Sequence, residues 1–110
     1  MISEREFQIA VGQRLRRLRL ALGKSQVDMA EKLRVGASAV SNYEKGLRAV
    51  DPYAAFRLKL SYGAPLEWLY GGDESALTPI LAKKLDQPTK PQRTAEPKTT
   101  APAKKARIIG

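Results

Sequence analysis

A chain of 110 residues with 20 Lys+Arg against 11 Asp+Glu, a formal net charge of +9, is long enough for one small domain and a tail and is biased towards polyanionic partners such as nucleic acid or anionic lipid. It contains neither His nor Cys, so the commonest general base, the commonest metal ligand and any thiolate are missing; no enzyme, no metal site, no disulfide and no cofactor is expected. No apolar run approaches the roughly 20 residues of a membrane span, and the charged start Met1-Ile2-Ser3-Glu4-Arg5-Glu6 lacks the apolar core of a signal segment, so the cytoplasm is the expected compartment.

The first predicted helix begins at Ser3-Glu4-Arg5-Glu6, which has the spacing of a capping box. Phe7, Val11, Leu15, Leu18 and Leu22 then fall on one stripe, with Gly12 weakening the middle and Gly23 as a terminator. The other side carries Arg14, Arg16, Arg17 and Arg19. Charge and place make Arg14 or Arg17 a candidate for phosphate and leave Arg16 as a solvated residue.

Two short helices meet across a turn in the stretch from Ser25 to Gly46. Ser25 is a good N-cap, Asp28 adds negative charge to the first turn, and Met29, Ala30 and Leu33 share one face, which predicts a helix over 26–33. Leu33-Arg34-Val35-Gly36 breaks it. Val40 and Tyr43, three apart, start a second pattern that predicts a helix over 37–45, with Gly46 as its C′ residue. Helix, short turn with glycine, helix is the helix-turn-helix arrangement. If Val40 and Tyr43 face inward, then Ala37, Ser38, Ser41 and Asn42 face outward.

Asp51-Pro52 opens a fourth helix as N-cap and N1. Ala54, Ala55, Leu58 and Tyr62 form one face of it, and Tyr53, Phe56 and Leu60 cluster on another, which suits either core or a dimer or partner surface. Gly63 ends it. Pro65 starts a fifth helix through Leu66, Glu67, Trp68, Leu69 and Tyr70, where Trp68 reads as core. Thr78-Pro79 caps a short sixth helix with Leu77, Ile80, Leu81 and Leu85 on one side. From Asp86 the composition turns to Pro, Thr, Ala and Lys. Residues 1–85 carry 14 basic and 9 acidic side chains (+5), and residues 86–110 carry 6 and 2 (+4). The expected organisation is therefore an all-α bundle of five helices, with a short sixth as an addition, over 1–85. A disordered basic tail over 86–110 completes it and would add salt-sensitive affinity for nucleic acid.

The chain resembles the helix-turn-helix domains of lambdoid phage repressors, Cro and related bacterial regulators. The resemblance rests on Arg19, Leu22, Gly23, Ser25-Gln26, Met29-Ala30, Leu33, Val35, Val40-Ser41, Tyr43-Glu44, Gly46, Gly63 and Leu66-Glu67-Trp68-Leu69, and covers roughly residues 8–72. It implies a sequence-selective regulator of double-stranded DNA, expected as a homodimer on a two-fold operator, with the helix over 37–45 in the major groove. It also implies that Gly36, Ala37, Ser38, Ser41 and Asn42 form the base-reading face. Asn42 is suited to adenine, and the small Gly36 and Ala37 stand where longer polar readers often sit. It further implies that Arg19 pairs with Glu44 and that Gln26 contacts DNA backbone or a neighbouring base. Ser25, Arg34, Lys45 and Arg48 join Arg14, Arg17 and Gln26 as backbone candidates by charge and place. The alternative is a protein-interaction module, an antitoxin or adaptor that uses the same fold to bind a partner. No small-molecule ligand and no membrane is implied.

Overall fold

Six α-helices follow one another in the computed structural model of the chain, which describes residues 1–86. They are α1 (Glu4–Ala21), α2 (Gln26–Leu33), α3 (Ala37–Glu44), α4 (Pro52–Tyr62), α5 (Leu66–Gly71) and α6 (Pro79–Asp86), with one 3₁₀ turn at Glu74–Ala76 between the last two. The described residues contain no strand, so the fold is all-α, and the sixth helix is present as well as the expected five. No helix among them is long and apolar enough to cross a membrane. The expected tail lies, apart from Asp86 at the end of α6, outside the described residues.

Local chemistry sets the helix starts. Ser3 Oγ accepts from the Glu6 amide while the Glu6 carboxylate accepts from the Ser3 amide, at 3.0 and 2.8 Å. Ser25 and Asp28 repeat this reciprocal arrangement at α2, and Asp51 Oδ1 accepts from the Ala54 amide at 2.8 Å ahead of Pro52 at α4. Each cap satisfies amides that the first helical turn leaves without intrahelical partners.

The core is one cluster. Val11, Leu15 and Leu18 of α1 meet Met29, Ala30 and Leu33 of α2 and Val40 and Tyr43 of α3, closed by Ala54, Ala55 and Leu58 of α4 and Trp68 and Leu69 of α5. Leu81 and Leu85 seat α6 on this cluster, whereas Ile80, expected on the same side, is exposed. Position 80 is one residue, or 100°, from Leu81, and the narrow contact of a two-turn helix does not reach that far round. Phe7 stacks on Tyr70 with ring centroids 6.0 Å apart, tying the start of α1 to α5.

Gly12 lets α1 and α3 approach. A Cβ there would overlap the carbonyl oxygen of Tyr43, so the residue that weakens α1 locally is the one that allows the two helix backbones to touch.

Guanidinium groups satisfy helix C-termini across the fold. Arg57 Nε donates to Lys32 O at the end of α2 (3.1 Å), and Arg5 Nη1 to Gly46 O just past α3 (2.7 Å). Arg14 Nη1 donates to Leu69 O in the last turn of α5 (2.9 Å), and Arg17 Nη2 to Leu85 O in that of α6 (3.0 Å). A cation is favourable there because unpaired carbonyls and the negative end of the helix dipole coincide.

Candidate nucleic-acid interface

The turn between α2 and α3 aims the outward face of α3. Arg34 is its left-handed residue, with φ 62° and ψ 43°, while Gly36 is extended (φ −79°, ψ 158°) and is the N-cap of α3. The turn glycine is therefore not the residue that needs glycine's conformational freedom. A Cβ on Gly36 would meet nothing closer than Ser38 Oγ at 3.9 Å, so the fold does not demand a bare position there. Gly36 gives α3 no side-chain cap; the Ala39 amide turns back to Gly36 O at 3.0 Å, while the Ala37 and Ser38 amides have no hydrogen-bond partner among the described residues.

Ala37 and Ser38 are exposed, Ser41 and Asn42 are half-buried, and Ala39, Val40 and Tyr43 are buried beneath them. The Asn42 side-chain amide has no hydrogen-bond partner among the described residues, whereas its backbone carbonyl accepts from the Leu47 and Arg48 amides. The face is thus short-chained, with one amide able both to donate and to accept.

The far end of α3 is fixed by a buried ion pair. Arg19 Nε and Nη2 donate to Glu44 Oε2 and Oε1 at 2.7 and 3.0 Å, and the side chains are 12% and 5% exposed. Gln26 Nε2 donates to Glu44 Oε1 at 3.1 Å, and Arg19 Nη1 to Lys24 O at 3.0 Å. One carboxylate therefore joins α1, the start of α2 and the end of α3. One N–H of the Gln26 amide serves this pair, which leaves the other N–H and the carbonyl for a partner. Beside it opens a cleft of about 570 Å³ lined by Arg19, Leu20, Gly23, Lys24, Ser25, Gln26, Val27 and Ala37. The start of α2 and the start of α3 so share one concavity. Ser25 Oγ accepts from Asp28 N at 3.0 Å. Hydrogen bonds from the Ser25 amide and hydroxyl hold the Asp28 carboxyl below its usual pKa.

Among the other candidates, Arg34 and Lys45 are exposed at the two ends of this region and enter no ion pair among the described residues. Arg48 is exposed with its guanidinium 5.5 Å from the Tyr43 ring centroid. Arg14 and Arg17 do not join the set. By the helical period they lie about 140–160° round α1 from Gly12, which faces α3. Their guanidinium groups serve α5 and α6, Arg17 also standing 3.4 Å from Glu74 and 3.8 Å from Asp86. Sequence reasoning gave no role to Arg5, Arg57 or the Gly12 contact. Gly12 in a helix interior was a usable signal for a close approach; the two arginines carried none, because their acceptors are 41 and 25 residues away.

The geometry defines a helix-turn-helix domain, and the chain belongs to that family: the model of the helix-turn-helix domain matches residues 10–65. The resemblance to phage-repressor-like regulators rests on the same region. The chain is 35% identical over 66 residues to the HTH-type transcriptional regulator ImmR of Bacillus subtilis (strain 168), an alignment that takes in 60% of this chain and 52% of that protein. The chain spans about half the length of this curated relative. No solved structure matches it.

Proposed function

We propose that the protein is a non-enzymatic, DNA-binding transcriptional regulator of the cytoplasm that lays α3 in the major groove of duplex DNA. The observation that carries this reading is the outward face of α3. Ala37 and Ser38, exposed, and Ser41 and Asn42, half-buried, stand above a rigid anchor, bounded by the exposed cations Lys24, Arg34, Lys45 and Arg48. Small side chains bring the helix close to base edges. Asn42 is the residue able to match the donor and acceptor of adenine, Ser38 and Ser41 supply hydroxyls, and Ala37 and Gly36 offer apolar contact and space. Ser25, Gln26, Arg34, Lys45 and Arg48 take phosphates, with Ser25 and Gln26 at the α2 N-terminus where backbone amides favour an anion. Arg14 and Arg17 are left out of this contact set because their donors are used within the fold.

The proposed assembly is a homodimer on a two-fold operator. Tyr53, Phe56 and Leu60 support it: they lie on one stripe of α4 and are 57%, 47% and 60% exposed, the self-complementary kind of surface that a two-fold axis can pair with its own copy. The ImmR likeness supports transcriptional regulation over the adaptor alternative.

Selection of bound duplexes from a random pool, followed by fluorescence anisotropy at two salt concentrations, tests the reading. Asn42→Ala is expected to cost about 1–3 kcal/mol on the selected site and to relax its sequence preference. Lys45→Ala should weaken all duplexes alike and make the salt slope shallower by about one unit. If both variants bind as the parent does, α3 is not the reading element. Leu60→Asp should shift the sedimentation of the protein to that of a monomer.

A further inference from the structure

We infer that Arg5 is a positioning residue for the reading helix: its guanidinium braces the C-terminal end of α3 and so sets where Asn42, Lys45 and Arg48 stand. The inference rests on the DNA-reading role of α3 for its functional half and on geometry alone for its structural half.

Past α3 the chain makes a left-handed exit at Gly46, φ +73°. The Gly46 amide donates back to Tyr43 O (3.0 Å), and the Leu47 and Arg48 amides to Asn42 O (2.9 and 3.3 Å). This double return satisfies the last carbonyls of α3 and fixes the backbone of Asn42 to the residues after the helix. The carbonyl of Gly46 itself takes no part in those returning bonds. Arg5, in the first turn of α1, donates to it at 2.7 Å in a partly buried, charge-assisted bond. Ile9, one turn further along α1, packs on the same glycine so tightly that a Cβ there would stand 2.7 Å from its Cγ1. The first two turns of α1 thus cap the exit of α3 from one side, while Arg19 and Gln26 hold Glu44 from the other. At the opposite end, Gly36 provides no side-chain cap. The reading helix is gripped at its C-terminus and presents its N-terminus, so errors at the grip swing the residues that face outward. Arg5 lies before the family match, which begins at residue 10.

Arg5→Gln removes the charge and the fork, and Arg5→Lys keeps the charge alone. Arg16→Gln, an exposed arginine of α1 with no hydrogen bond or ion pair among the described residues, is the charge control. Native-state hydrogen exchange is measured without DNA, and affinity for the selected and a scrambled duplex is compared at a temperature where Trp68 fluorescence reports full folding. Arg5→Gln is expected to speed exchange of the Gly46, Leu47 and Arg48 amides about tenfold while the α1 and α4 amides stay as in the parent. It should also lower the ratio of selected to scrambled affinity about three- to tenfold, with partial recovery in Arg5→Lys. Arg16→Gln should weaken both duplexes equally and leave the ratio and the exchange unchanged. Exchange that rises evenly over all helices, or an Arg5→Gln variant indistinguishable from Arg16→Gln, overturns the inference. A parent chain that discriminates between no duplexes overturns the DNA reading instead, and the exchange data then decide the brace by themselves.

Discussion

Truncating Arg19 should cost more than truncating its partner Glu44. In Arg19→Ala the Glu44 carboxylate, 5% exposed, keeps one donor, the Gln26 amide. In Glu44→Ala the Arg19 guanidinium is 12% exposed and keeps the Lys24 carbonyl. Breaking a buried pair costs about 3–5 kcal/mol, so Arg19→Ala belongs at the upper end and Glu44→Ala at the lower. Stabilities near 0.05–0.15 kcal/mol per residue give a domain of this size roughly 4–13 kcal/mol, so either change consumes a large part of it. Replacing both, as Arg19→Met with Glu44→Leu, removes the stranded charge and should recover most of the loss, short of about 1 kcal/mol for the orphaned Gln26 donor. A cycle closed with the matching single variants Arg19→Met and Glu44→Leu should show a coupling energy at or above the top of the roughly 0.5–3 kcal/mol range usual for touching residues. Each single variant strands a charge and the double does not. Urea unfolding followed by fluorescence measures it cleanly, because Trp68 is the sole tryptophan and is buried in the core. Glu44→Gln serves as a milder member of the cycle if an alanine variant does not fold. A coupling energy indistinguishable from zero would refute the view that this pair holds α1, α2 and α3 together.

Gly12→Ala should destabilise the domain by about 3 kcal/mol in the same urea assay, because the new methyl meets the backbone carbonyl of Tyr43, which cannot rotate away; a variant as stable as the parent would show that α1 and α3 can part without loss. Arg34→Gly should raise stability by about 0.5–1 kcal/mol, since a left-handed non-glycine residue costs about 1–2 kcal/mol and the more flexible unfolded chain returns only part of that. A lower urea midpoint would contradict it. Burial raises the hydroxyl pKa of Tyr43, Tyr62 and Tyr70 above the usual tyrosine value of 10.0, with Asp51 adding to the shift at Tyr43 and Tyr70 and Asp28 at Tyr62. The folded state therefore holds these protons more tightly, so their contribution is complete below pH 10.0 and is lost as pH rises through the folded values. Thermal melts should fall in that alkaline window in step with tyrosinate absorbance, and a flat melting temperature across it would count against the burial argument.

Local features of this chain follow from its residues alone. Ser3, Ser25 and Asp51 announce helix starts because a short side-chain oxygen can reach an amide three residues on. The apolar stripes follow from 3.6 residues per turn, so the buried set of Val11, Leu15, Leu18, Val40, Tyr43 and Trp68 was legible, as was the outward side of α3. Even the short turn was placed, although its left-handed residue is Arg34 and not the nearby glycine; composition favours glycine there, but tertiary packing accepts the strain of another residue. Where the long cations go depends instead on packing between helices far apart in the chain. Arg14 and Arg17 read as phosphate contacts along a basic face, yet they meet carbonyls 55 and 68 residues away in sequence. Arg5 and Arg57 find theirs across gaps of 41 and 25 residues. A guanidinium has five donors on a flexible stem, and nothing in its own neighbourhood says whether a phosphate or the end of another helix will be within reach. That choice is made only when helices distant in the chain are packed side by side.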